Sequence, residues 1–304
     1  MADDLTGASD SGAPFLAVGP VDVTIWPQLP SVALSGCAAV STETRDGTPE
    51  QARARSREAV QRLLESGFDT VFRKVDSRLR GHLREELAGA LAAWPGRVVL
   101  APALPGEGRI TRAGRQIIGE EVIDVEMQVG GLERVEIRDA ETDADLDALA
   151  REMLDDEDVM PAGTAGLAAA LARVISAGRP LAAPGWPPCR RSVGLIGSKA
   201  PATSEQMKLA GAAGCDVRRR SRGDPVHLDG TDALFLCGGG TASGVLEALG
   251  ASRLELLGEA LPRVPVARVT AGPHAGLVVC LKSGGFGPPD AIALAFRRLA
   301  SGGP

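Results

Sequence analysis

The chain has 304 residues, of which 44% are hydrophobic and 24% charged, and its formal net charge is −6. Such an acidic chain lacks the basic face that nucleic-acid binding usually needs, and no apolar run approaches the roughly 20 residues of a membrane span. The five cysteines form no CxxC pair and the three histidines are far apart, so we predict neither a disulfide framework nor a zinc site. The first residues are acidic and polar, unlike a signal peptide, which predicts a cytoplasmic protein.

Apolar runs in the first half predict a series of strands separated by helices and loops. The predicted strands are Phe15–Val18, Val21–Trp26, Ala33–Ser41, Thr70–Phe72 and Arg97–Ala103. A helix is predicted over Pro49–Ser66, where Gly67 provides a C-terminal cap. Alternation over residues 119–139 predicts an antiparallel excursion, and helices follow at Asp143–Leu154 and after Gly163. The repeated strand–loop–helix order predicts an α/β fold with a mainly parallel sheet.

The stretch Lys74–Gly81, with the sequence KVDSRLRG, concentrates charged and hydroxyl side chains after the Thr70–Phe72 strand. Ligands of open α/β sheets bind at the carboxyl ends of strands. The cations here suit a carboxylate or phosphate, Asp76 suits a hydroxyl proton, and Ser77 is an adaptable donor. Lys74 is one of only four lysines, and a flexible point charge suits an anion site. The alternative interpretation of such a charge cluster is a solvated turn.

The second half repeats one local pattern. Residues 178–191 contain four prolines and two glycines, which predicts a linker between domains at residues 1–177 and 192–304. Each of three later strands leads through a Gly-rich turn into a helix: Ser192–Ile196, Ala233–Cys237 and Leu277–Leu281. Backbone N–H groups at such turns form anion sites, so we predict a phosphate-bearing ligand.

Several standard motifs are absent from the sequence. Neither GxxxxGK[ST] nor GxGxxG occurs, which argues against a P-loop NTPase and a typical dinucleotide-binding domain, and no GxSxG supports a hydrolase. The two halves instead divide the tasks of a kinase for a small acid, with one fixing the acceptor and the other the nucleotide. Phosphoryl transfer needs positioning, charge neutralisation and one carboxylate for the acceptor's proton. A homo-oligomer is left open, because no heptad repeat or large apolar stripe is present.

Six motifs that occur in order along the chain resemble those of the four-carbon acid sugar kinase family. They are Ala2–Asp10, Lys74–Gly81, Pro102–Thr111, Gly197–Ser198 with Thr203 and Gln206, Gly238–Thr241, and Lys282–Gly287. The resemblance implies an N-terminal sugar-acid-binding domain, a C-terminal ATP-binding domain and an active-site cleft between them. Family members phosphorylate threonate, erythronate or 3-oxo-tetronate-type acids, so the resemblance also implies ATP and Mg²⁺.

The resemblance carries over site residues at the matching positions. The residues implied for the substrate are Asp3, Asp4, Arg45, Lys74, Asp76, Ser77 and Arg80. The residues implied for ATP are Ser198, Gly238, Gly239, Gly240, Thr241, Lys282, Gly284 and Gly285. Arg45 or Arg80 suits the substrate carboxylate, because a guanidinium binds a carboxylate with two hydrogen bonds. Asp76 or Asp4 suits the role of catalytic proton acceptor. The sequence does not choose between these two, and it assigns no metal ligand.

Departures from the family pattern leave a second function open. Met1 stands where the family has a first strand, so Asp3 and Asp4 are expected at a free end. Gly240 replaces the acidic residue of the family's GG[ED]T pattern, which removes a candidate nucleotide or magnesium contact. The alternative function is therefore a non-catalytic family member that binds a sugar acid or a nucleotide.

Overall fold

We describe the fold from a computed structural model, which covers residues 1–30, 36–179, 184–221 and 223–303. Its helices are α1 (Leu5–Gly12), α2 (Pro49–Glu65), α3 (Leu83–Leu91), α4 (Val125–Val129), α5 (Asp143–Leu154), α6 (Ala165–Ile175), α7 (Pro201–Ala212), α8 (Gly239–Ala248) and α9 (Ala291–Ser301). Its strands are β1 (Val21–Ile25), β2 (Cys37–Ser41), β3 (Arg73–Lys74), β4 (Arg97–Ala101), β5 (Arg109–Arg112), β6 (Arg115–Ile118), β7 (Glu121–Asp124), β8 (Val135–Ile137), β9 (Val159–Gly163), β10 (Ser192–Ile196), β11 (Asp216–Arg219), β12 (Ala233–Cys237), β13 (Arg253–Leu261), β14 (Val264–Val269) and β15 (Val278–Lys282). No helix among the described residues is both long and apolar enough to cross a membrane.

Eight strands form one large sheet in the order β11-β10-β12-β15-β14-β13-β1-β2. β11, β10, β12 and β15 are parallel, whereas the β13–β14 hairpin is antiparallel to its neighbours. β1 pairs with β13, so that Thr24 lies opposite Arg253. Strands from both sides of the segment 178–191 therefore share one sheet. Residues 180–183 of that segment lie outside the described part of the chain, and the domain boundaries stay predictions.

The described part of the chain also forms two smaller sheets. The first has four parallel strands in the order β3-β9-β4-β8, and the second is the antiparallel sheet β5-β6-β7. The prediction of an α/β fold with mainly parallel sheets flanked by helices is confirmed. The antiparallel excursion covers residues 109–124 and so begins earlier than the predicted 119–139.

Two of the predicted strands are not strands in the structure, and a third is described only in part. Phe15–Val18 is not a strand, because a 3₁₀ helix over Ala13–Ala17, with Pro14 in its first turn, continues from α1. Thr70–Phe72 is not a strand either, because only Arg73 and Lys74 reach partners in β9. The predicted strand Ala33–Ser41 is observed from Cys37, and its first three residues lie outside the described residues.

The first two residues join the large sheet to the four-stranded one. The Ala2 N–H donates to Val40 O of β2, and Met1 O accepts from the Lys74 N–H of β3, both at 2.8 Å. Met1 and Ala2 are buried, and every residue of α1 is buried behind them. The expectation that Asp3 and Asp4 hang from a free end is therefore wrong, because backbone hydrogen bonds on both sides fix the segment that carries them.

Gly89 marks the closest approach of α2 and α3. A Cβ atom on Gly89 would collide with the backbone carbonyl oxygen of Arg53, which a side-chain rotation cannot relieve. In contrast, a Cβ atom on Gly211 of α7 would meet no atom within 4 Å. Packing should therefore decide how a substitution at Gly89 affects stability. At Gly211 the flexibility of the chain should decide it.

We predict opposite effects for Gly89→Ala and Gly211→Ala. Gly89→Ala should lower the free energy of unfolding by about 1–3 kcal/mol, because α2 must move away from α3. Gly211→Ala should leave it unchanged or raise it by up to about 1 kcal/mol, because alanine has the higher helix propensity. Urea denaturation followed by circular dichroism measures both, and equal effects of the two variants would contradict the packing argument.

Candidate active site

The three predicted Gly-rich turns lie together at the carboxyl ends of neighbouring strands in the large sheet. They follow the neighbouring parallel strands β10, β12 and β15, so their backbones lie side by side. A Cβ atom on Gly197 would collide with Thr241 Oγ1, and one on Gly284 would collide with Ser198 Oγ. Gly238 has a φ of 107°, a conformation that side chains rarely adopt. At Gly197, Gly238 and Gly284, either the close packing of the turns or the backbone conformation therefore favours glycine.

Helix α7 holds the turn after β15 in place through neutral side chains. Thr203 Oγ1 donates to Gly284 O, and Gln206 Nε2 lies 3.0–3.2 Å from the carbonyl oxygens of three consecutive residues, Phe286 to Pro288. Thr203 and Gln206 are three residues apart and so share one face of the helix. Both side chains are buried. This arrangement explains why the sequence motif after β10 includes these two residues.

Lys282 also belongs to this turn, although its ammonium group faces inwards. The side chain is fully buried, and Nζ donates to Ser283 O at 3.1 Å and to Gly284 O at 3.0 Å. Burial lowers the pKa of Lys282. The structure thus places this predicted ATP-binding residue inside the turn, where it fixes the backbone.

On the other side of the site, Arg45 ties the aspartates of two loops together. Its guanidinium makes two hydrogen bonds with Asp3, one of them at 2.8 Å from Nη2 to Oδ1, and Nη1 lies 3.3 Å from Asp76 Oδ2. Asp76 also accepts hydrogen bonds from Arg80 Nε at 2.9 Å and Nη2 at 2.7 Å. Arg45 and Arg80 were the two cations predicted to bind a substrate carboxylate. Each is already paired with an aspartate in the structure.

The aspartates differ in how easily they take up a proton. Burial acts to raise the pKa of Asp76, but hydrogen bonds from Arg80 and the charge of Arg45 outweigh it and hold that pKa well below its usual value. Arg45 likewise outweighs the effect of burial on Asp3 and lowers its pKa. The pKa of Asp4 is raised instead, because burial is reinforced by the neighbouring charge of Asp3.

Asp4 is the N-cap of α1 and also lies against the glycine turn after β12. Its Oδ1 accepts the Gly7 N–H at 2.7 Å, and its Oδ2 would collide with a Cβ atom on Gly239. Arg45 Nη2 is 3.8 Å from the same Oδ2. Asp46, which follows Arg45 in the chain, lies 3.5 Å from where a Cβ atom on Gly240 would stand. The predicted substrate residues and the predicted nucleotide turns therefore meet directly.

The remaining predicted residues lie around this meeting point. Lys74 Nζ donates to Val75 O at 2.8 Å and is close to Gly7. Ser77 Oγ accepts a hydrogen bond from Arg109. A Cβ atom on Gly285 would meet no atom within 4 Å, so this part of the glycine surface is open.

Arg109 and its neighbours were not predicted as site residues. The Arg109 guanidinium lies 4.9 Å from the ring centroid of Phe286, and the Arg263 guanidinium lies 4.0 Å from the same ring. Arg109 belongs to the motif Pro102–Thr111 and Phe286 to the motif Lys282–Gly287, so the resemblance already contained the signal for both. No pattern in the sequence indicates Arg263, which lies in the β13–β14 turn.

Few carboxylates near the glycine turns could bind a divalent metal. Across residues 1–30, 36–179, 184–221 and 223–303, no three His, Cys, Asp or Glu side chains come together as a metal site. Asp4 and Asp46 do lie beside Gly239 and Gly240. The exposed Asp46 carboxylate suits Mg²⁺, which binds through one or two carboxylates and the phosphates of a nucleotide rather than in an all-protein cage.

The ion pairs of Asp76 generate a stability prediction. Asp76→Asn should lower the free energy of unfolding at pH 7 by about 1–3 kcal/mol, because Arg45 and Arg80 lose a charged partner. A carboxylate with a lowered folded-state pKa stabilises the protein above its unfolded pKa of about 4 and loses that effect at lower pH. The difference between wild type and variant should therefore shrink as the pH falls below about 4.

Urea denaturation at pH 7, 5 and 3 measures this difference. The control is Asp69→Asn, because Asp69 is exposed, and it should change the free energy of unfolding by less than about 0.5 kcal/mol. A difference for Asp76→Asn that grows as the pH falls would contradict the assigned ion pairs.

Comparison with known families gives two matches to the chain. A family model described as a sugar-binding N-terminal domain matches residues 1–129, and one described as a nucleotide-binding C-terminal domain matches residues 223–292. The aspartates, Arg45 and Arg80 lie in the first match, and the glycine turns after β12 and β15 lie in the second. Together the two models match more than half of the chain.

Individual proteins give the same assignment. A D-threonate kinase of Bordetella bronchiseptica is 27% identical over 98% of this chain and 96% of its own length. A D-erythronate kinase of Heliobacterium modesticaldum is 31% identical over 39% of this chain and 28% of its own length. The crystal structure of a Haemophilus influenzae protein has the same fold, with a TM-score of 0.72 at 18% identity over 98% of this chain and 99% of that one. With its sugar-binding and nucleotide-binding regions in this order, the chain belongs to the four-carbon acid sugar kinase family.

Proposed function

We propose that the protein transfers the γ-phosphoryl group of ATP to a hydroxyl group of a four-carbon sugar acid such as threonate, erythronate or 3-oxo-tetronate. The observation that carries the proposal is the contact between Asp4 and the glycine turn at Gly239. It brings a carboxylate of the acceptor side next to a backbone surface suited to phosphates. Such proximity is what phosphoryl transfer mainly requires.

The glycine surface of Ser198, Gly238–Thr241, Gly284 and Gly285 would bind the triphosphate through backbone N–H groups. The N-terminus of α8 begins at Gly239, so its helix dipole also favours negative charge there. The buried Lys282 ammonium group stabilises this surface by donating to the carbonyl oxygens of Ser283 and Gly284. Mg²⁺ would bind Asp46 and the nucleotide phosphates, and when bound it neutralises phosphate charge.

The acceptor acid would bind among Asp3, Arg45, Lys74, Ser77 and Arg80. Asp3 and Asp76 are fully engaged with guanidinium groups, so their role is to hold Arg45 and Arg80 in place. Ser77 and Lys74 offer donors for the hydroxyl and carboxylate oxygens of a small acid.

Asp4 is the proton acceptor that we favour over Asp76. A base works best when its pKa lies near the working pH, and the pKa of Asp4 is raised whereas that of Asp76 is lowered. In the reaction, the acceptor oxygen bonds to the γ-phosphorus, the bond to the oxygen bridging the β- and γ-phosphorus atoms breaks, ADP leaves, and Asp4 takes the hydroxyl proton.

A direct assay tests the proposed reaction. Purified protein with Mg²⁺ and ATP should release ADP in the presence of D-threonate, D-erythronate or a 3-oxo-tetronate, and phosphorus NMR should show a new phosphomonoester. Acetate and glycerol serve as acceptor controls, because acetate lacks a hydroxyl group and glycerol lacks a carboxylate. Binding of an acid or of ATP without turnover of any acid would overturn the kinase proposal in favour of a non-catalytic binding protein.

We predict that Asp4→Asn lowers kcat by about 100-fold or more, because the base is lost. Asparagine is as good an N-cap as aspartate, so the free energy of unfolding should change little. In the wild type, kcat/KM should fall as the pH drops through the raised pKa of Asp4, and the variant should lack this limb. A pH profile of the variant that keeps the acidic limb would contradict Asp4 as the base.

We also predict that Gly239→Ala lowers kcat/KM at least about 10-fold, because the new methyl group displaces Asp4 from the turn. The matched control is Gly244→Ala in the same helix, where a Cβ atom would meet nothing within 4 Å. The control should keep wild-type kinetics. Equal activity of both variants would contradict the importance of the Asp4–Gly239 contact.

A further inference from the structure

Arg109 lies where the loop that carries Ser77 approaches the turn after β15 that carries Phe286. We call these the acceptor loop and the nucleotide turn. Arg109 is the first residue of β5, and its Nη1 donates to Ser77 Oγ in the acceptor loop. Its guanidinium also stacks on Phe286, 4.9 Å from the ring centroid, in the turn after β15. One side chain thus touches both the loop that carries Ser77 and the turn that carries Phe286.

The charge of Arg109 is not neutralised in the way that its neighbours are. Arg45 and Arg80 pair with aspartates, as described above. Arg263, the other guanidinium on the Phe286 ring, lies 2.9 Å from Asp10 and 3.4 Å from Glu107. Within the described residues, no carboxylate oxygen lies within 4.0 Å of the Arg109 guanidinium. A half-buried cation without an anionic partner favours an incoming anion.

The surroundings of Arg109 support the same conclusion. Burial lowers the pKa of Arg109, and Asp76 opposes that shift, yet a guanidinium stays protonated near neutral pH. The planar group presents several N–H donors that match the oxygens of a phosphoryl group. The Phe286 ring fixes one face of the guanidinium and leaves its edge for hydrogen bonding.

We propose that Arg109 is a catalytic residue that contacts the γ-phosphoryl group during transfer and stabilises its charge in the transition state. The proposal rests on the proposed kinase function. Arg109 forms and breaks no covalent bond, and the proton still goes to Asp4. An arginine in this role contributes a factor of about 10³–10⁵ to kcat in other phosphoryl-transfer enzymes. Contact with the nucleotide turn distinguishes this role from binding of the acceptor's carboxylate alone.

The variants that test this role are Arg109→Met and Arg109→Lys, with Arg112→Met as the matched control. Arg112 lies in the same strand, is exposed and pairs with Glu141, so it shares the local fold without facing the site. Arg109→Met should lower kcat about 1,000-fold while both KM values stay within about threefold. Arg109→Lys should recover part of kcat, and Arg112→Met should keep wild-type values.

A binding experiment adds a measurement that does not depend on turnover. ADP with aluminium fluoride and the sugar acid mimics the transferring phosphoryl group, and isothermal titration should show at least a 100-fold weaker complex with Arg109→Met. ADP alone should bind both proteins equally. Circular dichroism checks folding, and if Arg109→Met does not fold, the same measurements on Arg109→Lys decide.

The outcomes separate this proposal from the function on which it rests. Wild-type turnover with an Arg109→Met kcat within tenfold of wild type overturns the role of Arg109 alone. A raised KM for the acid with unchanged kcat also overturns it, because Arg109 would then bind the acceptor carboxylate. Wild-type protein that phosphorylates no acid overturns the proposed function and this role together.

Discussion

The site depends on one guanidinium shared between two buried carboxylates. Arg45 contacts Asp3 from the segment before α1 and Asp76 from the loop after β3. Burying such charges is costly unless geometry and hydrogen bonding are good, so these groups are held in a narrow range of positions. Because Asp3 and Asp4 are adjacent, the same ion pair also determines where Asp4 stands relative to the glycine turn at Gly239.

The environment gives neighbouring aspartates different chemical properties. Asp76 is surrounded by two arginines and keeps its charge, whereas Asp4 sits beside another carboxylate and takes up a proton more readily. Separation of pKa values between nearby acids is a common way to divide acid and base roles. On the nucleotide side, the neutral groups of Thr203 and Gln206 hold the turn, which leaves its N–H groups available to an anion.

Several local elements could be predicted from the sequence, and long-range pairing could not. The strands Ser192–Ile196 and Ala233–Cys237 and the helix Asp143–Leu154 have the predicted bounds, because each has a strong periodic pattern and a clear boundary signal. The pairing of β1 with β13 was not predicted, because no local pattern reports which distant strand is a neighbour. For the same reason the anchored position of Asp3 and Asp4 could not be foreseen.

The sequence motifs could predict which residues lie in the candidate site, but not what each residue does there. The motifs bring Asp4, Asp76 and Gly239 to one place, as a resemblance can suggest. The choice between the two proton acceptors depends on their partners, and the inward position of Lys282 depends on burial. Arg109 lies in the motif Pro102–Thr111 but was not predicted as a site residue, because its lack of a carboxylate partner among the described residues is visible only in three dimensions.

The shared eight-stranded sheet has a consequence for how the polypeptide responds to a protease. A cut between Arg190 and Arg191, two exposed residues, would give two fragments that still hold each other through the ladder between β1 and β13. The nicked protein should therefore elute as one species in gel filtration and separate only in denaturant. Co-expressed halves of the polypeptide would, by the same contacts, reassemble into a single particle.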